Sequence, residues 1–204
     1  LRNVDYLSPN NFFEKVPNLP ETKKEILEIA NLFPNSKIFL NENANEINFL
    51  GLNNLKVKYL SIASHSILSG EINEINEPTI LLSPINTDKE DNDGLLTSSS
   101  ISKLNLNFDL AVLSACNTYA AEDKNSESLS GVTNAFLVAG VNSIIASMWS
   151  VDSETTKELM VEFYNNLSQN LSKSKSLQLA ISNTKLKFDH PFYWAPFVLI
   201  GGEN

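Results

Sequence analysis

The sequence predicts an α/β domain with a mostly parallel central sheet flanked by helices, and three observations predict it. Val57–Ala63, Phe108–Leu113 and Asn142–Met148 are short, predominantly apolar runs of the kind that buried strands require. These runs alternate with stretches of helical periodicity, the order that crossover helices produce. The chain of 204 residues, 42% hydrophobic and 19% charged, is long enough to bury one sizeable core and shows no internal repeat.

The elements follow in order. Residues 1–18 read as a lead-in from a longer chain, because Leu1-Arg2-Asn3-Val4-Asp5 carries neither a Met nor a signal-peptide pattern. Residues 19–204 read as one domain. Leu19-Pro20-Glu21-Thr22 opens a helix through Ile26, Ile29, Ala30 and Phe33, closed by Pro34. Lys37–Leu40 reads as a short strand, Ala44–Leu50 as a short helix, Val57–Ala63 as a buried strand and Thr79–Ser83 as another, stopped by Pro84. Asp93-Gly94 marks a turn, and Thr97 caps a short helix. Phe108–Leu113 is the next strand, Asn117–Ser130 a polar loop, and Gly131–Gly140 a helix stopped by its final glycine. After the strand Asn142–Met148, Ser153 is expected to cap the longest helix, with Leu159, Met160, Phe163, Tyr164, Leu167 and Leu171 as its apolar stripe. Ser174 to about Phe188 gives the last helix, and Phe192–Ile200 an apolar terminal strand.

Charge and cysteine content exclude several classes. Fifteen basic against 24 acidic residues give a net charge of −9, and without a basic cluster this opposes nucleic-acid and anionic-membrane binding. No apolar run approaches the roughly 18 residues of a membrane span. A single Cys excludes an internal disulfide framework and a multi-thiolate zinc site, and it fits a reducing, cytoplasmic compartment. Asp91-Asn92-Asp93-Gly94 resembles part of a calcium loop, but Lys89 and Ser100 occupy the first and closing ligand positions. Neither metal nor cofactor is expected.

The chemistry-bearing residues are few: His65, His190 and Cys116. His65 and Cys116 each follow a buried strand, the edge at which open parallel sheets bind ligands. A neighbouring imidazole can convert a thiol into the nucleophilic thiolate. A free Cys is more often a small buried hydrophobe, and His190, within Asp189-His190-Pro191-Phe192, reads as a structural loop residue. His65 lies 51 positions before Cys116, which is preceded by Ala115, a caspase-type spacing.

The string Leu113-Ser114-Ala115-Cys116-Asn117-Thr118 resembles the CHAT domain, a caspase-like and separase-like bacterial cysteine peptidase module often found behind tetratricopeptide repeats. Val57–His65, Asp93–Thr97, Ala135–Val141, Ala146–Asp152 and His190–Gly201 are similar to further motifs of that family, so the resemblance covers Leu19 to Gly201. It implies a caspase-like three-layer fold, Cys116 as nucleophile and His65 as general acid and base. It also implies an oxyanion hole from the backbone N–H groups of Cys116 and Ser66, where the family usually has Gly at the latter position. The loop after the Cys departs too, with Ser126-Glu127-Ser128 in place of a Gly-Gly-Glu-type segment.

Substrate choice, by the same resemblance, rests on the loop after Trp149. An acidic residue there pairs with a basic P1 side chain; Asp152 keeps that position and Ser153 stands where many members carry a second Asp. The implied partners are a protein or peptide substrate and a regulatory region such as tetratricopeptide repeats, and the implied settings include regulated proteolysis in bacterial defence. The residues leave a second class open, a degenerate CHAT domain serving as a protein-interaction scaffold. An α/β-hydrolase lacks support, because there is no Gly-x-Ser-x-Gly elbow.

Overall fold

The computed structural model describes residues 13, 16–70, 75–85, 92–114 and 131–202. Among these, the strands are β1 (Lys56–Ile62), β2 (Ser66–Ile67), β3 (Thr79–Leu81), β4 (Leu95–Thr97), β5 (Asn107–Leu113), β6 (Ser143–Ser147) and β7 (Phe197–Gly201). The helices are α1 (Pro20–Asn31), α2 (Glu46–Leu50), α3 (Ser98–Ser102), α4 (Gly131–Val138), α5 (Ser153–Ser168) and α6 (Lys173–Lys187).

The main sheet runs β1-β5-β6-β7, with β1, β5 and β6 parallel and β7 antiparallel at the edge. β2, β3 and β4 form a separate antiparallel sheet. Helices cover both faces of the main sheet, which makes three layers. On one face Leu110, Val112 and Ile145 pack with Ile29 of α1, Leu159, Met160 and Phe163 of α5, and Leu177 and Ala180 of α6. On the other, Ala111, Leu113, Ile144 and Ala146 pack with Phe49 of α2, Ile101 of α3 and Phe136 of α4. The predominantly apolar runs follow from this burial, and each fully buried Leu, Ile or Phe contributes roughly 2 kcal/mol.

One end of the sheet is closed by tight packing. Gly140 ends the α4 segment at φ +101, and a Cβ there would lie 3.0 Å from the Leu106 carbonyl oxygen. Gly201, at φ +104, passes so near Asn142 that a Cβ would lie 2.3 Å from its carbonyl oxygen. At the same end Lys173, 3% exposed, pairs through Nζ with Asp109 Oδ1 at 2.6 Å. It also donates to the carbonyls of Asp109 at 3.2 Å and Gly202 at 3.5 Å.

Several expectations need correction. Lys37–Leu40 is not a strand: Leu40 is extended, but the segment joins no ladder among the described residues and is mostly exposed. The strand at Thr79 ends at Leu81. The terminal apolar run does not extend from Phe192, because Pro191–Tyr193 forms a 3-10 turn and β7 begins only after Pro196. α5 ends at Ser168, so Leu171 lies beyond the stripe and is 36% exposed. The expected loop 117–130 lies outside the described residues. Thr97 does cap α3, its hydroxyl accepting from Ser100 N at 3.2 Å.

Candidate active site

Register places the candidate pair. Ile62 of β1 is the ladder partner of Leu113 of β5, and Ser114 N donates to the Ile62 carbonyl at 2.8 Å. His65 stands three positions beyond Ile62, and Cys116 three beyond Leu113. Both chains therefore leave the carboxyl edge of the sheet from adjacent parallel strands. Cys116 and Ala115 lie outside the described residues.

His65 is anchored on both sides. Its carbonyl accepts from Leu81 N at 2.9 Å, tying the turn after β1 to β3. Its ring Nε2 lies 2.8 Å from the Pro17 carbonyl oxygen. A carbonyl only accepts, so Nε2 must carry the proton, and in the neutral ring Nδ1 keeps the lone pair of a base. Ser66 opens β2 opposite Ile80.

A small cleft, open to solvent, begins at this edge. Ser64, His65 and Ser114 line it from the strand ends, Thr22 and Glu25 from α1, and Val151, Ser153 and Thr156 from the start of α5. Glu25 is 1% exposed, and burial pushes its carboxyl up to about 7 against the opposing influence of the Ser114 hydroxyl. Oε1 of Glu25 and the hydroxyls of Ser61, Ser114 and Thr156 are all buried without a well-formed hydrogen bond to a described residue. Desolvation of these groups goes largely unanswered. Burial also raises the Tyr164 phenol, which stands near Ser61, Glu25 and Tyr59.

The loop beyond β6 differs from expectation in one respect. Asp152, not Ser153, is the N-cap of α5: Oδ1 accepts from Thr155 N at 2.9 Å and from Thr155 Oγ1 at 2.7 Å. Asp152 has the extended backbone a cap needs (φ −78°, ψ 127°), whereas Ser153 is already helical. Ser153 lines the cleft; the exposed Asp152 does not. Trp149 is half-buried, its indole N–H donating to the Phe192 carbonyl at 3.2 Å. His190 serves structure, its Nδ1 accepting from Phe192 N at 3.1 Å to cap the 3-10 turn.

Two residues of the site escaped the reading of the sequence. Glu25 sits one turn before Ile29 on the inner face of α1, and a carboxylate in an apolar stripe was the available signal. Pro17 contributes a main-chain atom, which no residue type announces. Among the described residues no group of three or more His, Cys, Asp or Glu side chains is arranged to hold a metal, and no helix is long and apolar enough to cross a membrane.

Comparison with known proteins adds to this geometry. Tetratricopeptide repeat protein 28 of Mus musculus is 32% identical over 111 residues, and its Homo sapiens counterpart is 30% identical over 115. Each alignment spans 53% of this chain and 4% of the relative. The Arg specific cysteine proteinase gingipain R superposes with a TM-score of 0.64 at 13% identity, over 89% of this chain and 41% of that one. The RgpB pro- and mature-domain complex of Porphyromonas gingivalis gives 0.56 at 11% identity, over 93% and 44%. These solved structures share the caspase-like fold. The CHAT domain model matches residues 8–202, and the chain accordingly belongs to the CHAT domain family.

Proposed function

We propose that this domain is a cysteine endopeptidase acting through Cys116 and His65 as a dyad. The observation that carries the reading is the His65 ring: Nε2 is committed to the Pro17 carbonyl, which leaves Nδ1 as the base beside the strand end that leads to Cys116. In the proposed reaction Nδ1 takes the thiol proton and the thiolate attacks the scissile carbonyl. The imidazolium then protonates the leaving amine, and water hydrolyses the thioester. The amides of Ser66 and Cys116 are the proposed oxyanion donors. No step requires a metal or cofactor.

A basic P1 residue is the proposed substrate feature, with Asp152, Trp149 and Ser153 forming its loop. Gingipain R, described as Arg specific, shares the fold and supports this choice. Asp152→Asn should lower cleavage after Arg far more than Ser153→Ala. A regulatory region of tetratricopeptide repeats is proposed on the names of the relatives. Those same relatives, with Ser66 at a usual Gly position, favour the second reading, a scaffold without turnover.

Thiol reactivity separates the two. Cys116 should react with iodoacetamide near neutral pH at least about 10-fold faster than an ordinary thiol, and His65→Ala should remove the excess. Equal rates in the two proteins, with no peptide cleaved, would favour the scaffold.

A further inference from the structure

The cleft beside His65 is unlike the rest of the interior in its chemistry. Leu19 and Val151 give it apolar walls, Glu25, Ser114 and Thr156 give it a polar floor, and His65 at the strand end is the one basic side chain among the described lining residues. Glu25 Oε1 and the Ser114 and Thr156 hydroxyls are buried there without a well-formed hydrogen bond to a described residue. A long side chain with an apolar stem and a cationic, hydrogen-donating head matches both parts. A purely apolar side chain would leave the floor's polar groups unanswered, and an acidic one would set a second carboxylate against Glu25.

We propose that this cleft is the specificity pocket for a Lys or Arg side chain of the substrate, and that the Glu25 carboxylate is the counter-charge at its floor. The proposal rests on the peptidase reading and deepens it. Asp152 spends Oδ1 on the α5 cap and lies outside the cleft lining, so it acts at the rim by fixing the start of α5. The cationic head meets Glu25 between Ser114 and Thr156, in the cleft that His65 also lines.

The empty pocket and the filled one differ in protonation. A Glu25 carboxyl raised to about 7 is largely protonated in mildly acid solution, which avoids a lone buried charge. Entry of a cation expels that proton and leaves an ion pair. Among the described ionisable groups, Tyr164 on α5 is near enough to Glu25 to feel its charge and His65 lines the same cleft, while Asp152 and Glu154 at the head of α5 are not among the lining residues. His65 acts on Arg and neutral substrates alike, so a ratio of the two cancels its contribution.

Matched tripeptidyl fluorogenic amides ending in Arg or in citrulline, its uncharged isostere, supply that ratio. For the unaltered protein kcat/KM for Arg over citrulline should rise about 10-fold between pH 6 and pH 8, as a carboxyl of this range ionises. Glu25→Gln should lower the ratio about 100-fold at pH 8 and abolish its pH dependence. A ratio insensitive to both pH and Glu25→Gln overturns the proposal. Should Glu25→Gln fail to fold, the pH profile of the unaltered protein decides. Should neither peptide be cut, the peptidase reading fails by itself, and calorimetry with Cys116→Ala tests the pocket separately. Preferential binding of the Arg tripeptide amide with proton release supports it, and equal binding of the two peptides overturns it.

Discussion

The two ends of the main sheet are built on opposite terms. At the amino end of β5, Lys173 sinks its ammonium onto Asp109 and two carbonyls, and Gly140 and Gly201 let backbones approach to where no side chain fits. At the carboxyl end, Glu25, Ser114 and Thr156 line an open cleft with buried oxygens that make no well-formed hydrogen bond to a described residue. One end pairs its buried ammonium internally and holds the layers together. The other carries unresolved polarity, the condition of a surface waiting for a ligand.

That contrast predicts substitutions of opposite sign. Gly201→Ala drives a Cβ to 2.3 Å from the Asn142 carbonyl oxygen at a positive φ, and should destabilise by about 4 kcal/mol in urea unfolding. A loss below 1 kcal/mol would show that the amino end yields more readily than its packing implies. At the other end, Glu25→Gln should stabilise at alkaline pH. The folded-state value of about 7 exceeds the ordinary 4.5, so this carboxyl favours folding fully only below 4.5 and loses that contribution as pH rises through 7. The unaltered protein should therefore lose about 3 kcal/mol from this group between pH 4.5 and 8, and Glu25→Gln should flatten that slope. Identical stability–pH curves for the two proteins would remove Glu25 from the account.

The smallest effect belongs to Asp109→Asn. It takes the carboxylate charge away from the buried Lys173 ammonium, and partial exposure of Asp109 moderates the cost to about 2 kcal/mol. Thermal melts at low and high salt check this, because a buried pair should change little between them. A strong salt dependence would mark the pair as a surface interaction and narrow the contrast between the ends.

The sequence showed the frame more readily than the site. Val57–Ala63, Phe108–Leu113 and Asn142–Met148 announced themselves because burial within a sheet demands predominantly apolar runs, and β1, β5 and β6 lie within a residue or two of them. Lys37–Leu40 carried the same local signal without a neighbouring strand to pair with, and pairing is decided by tertiary context. β2 and β4, two and three residues long, are too short for periodicity to register. His65 stood out by rarity and spacing. Asp152 and Ser153 were both acceptable caps by residue type, and only the backbone angles at the helix start distinguish them. Glu25 was hidden inside a helix whose stripe was read through Ile26 and Ile29, although its charge at an inward position was the clue.

The bond from His65 to Pro17 has a consequence for genetics. The acceptor that fixes the imidazole tautomer is a main-chain oxygen, so every residue type at position 17 supplies it. An alanine scan would cross this position with little signal, whereas replacing the peptide link that follows Pro17 by an ester, whose carbonyl accepts more weakly, would act directly on the ring. The proton arrangement of the histidine is thus inherited through chain path rather than residue identity, and selection can hold it constant while the side chains around it drift.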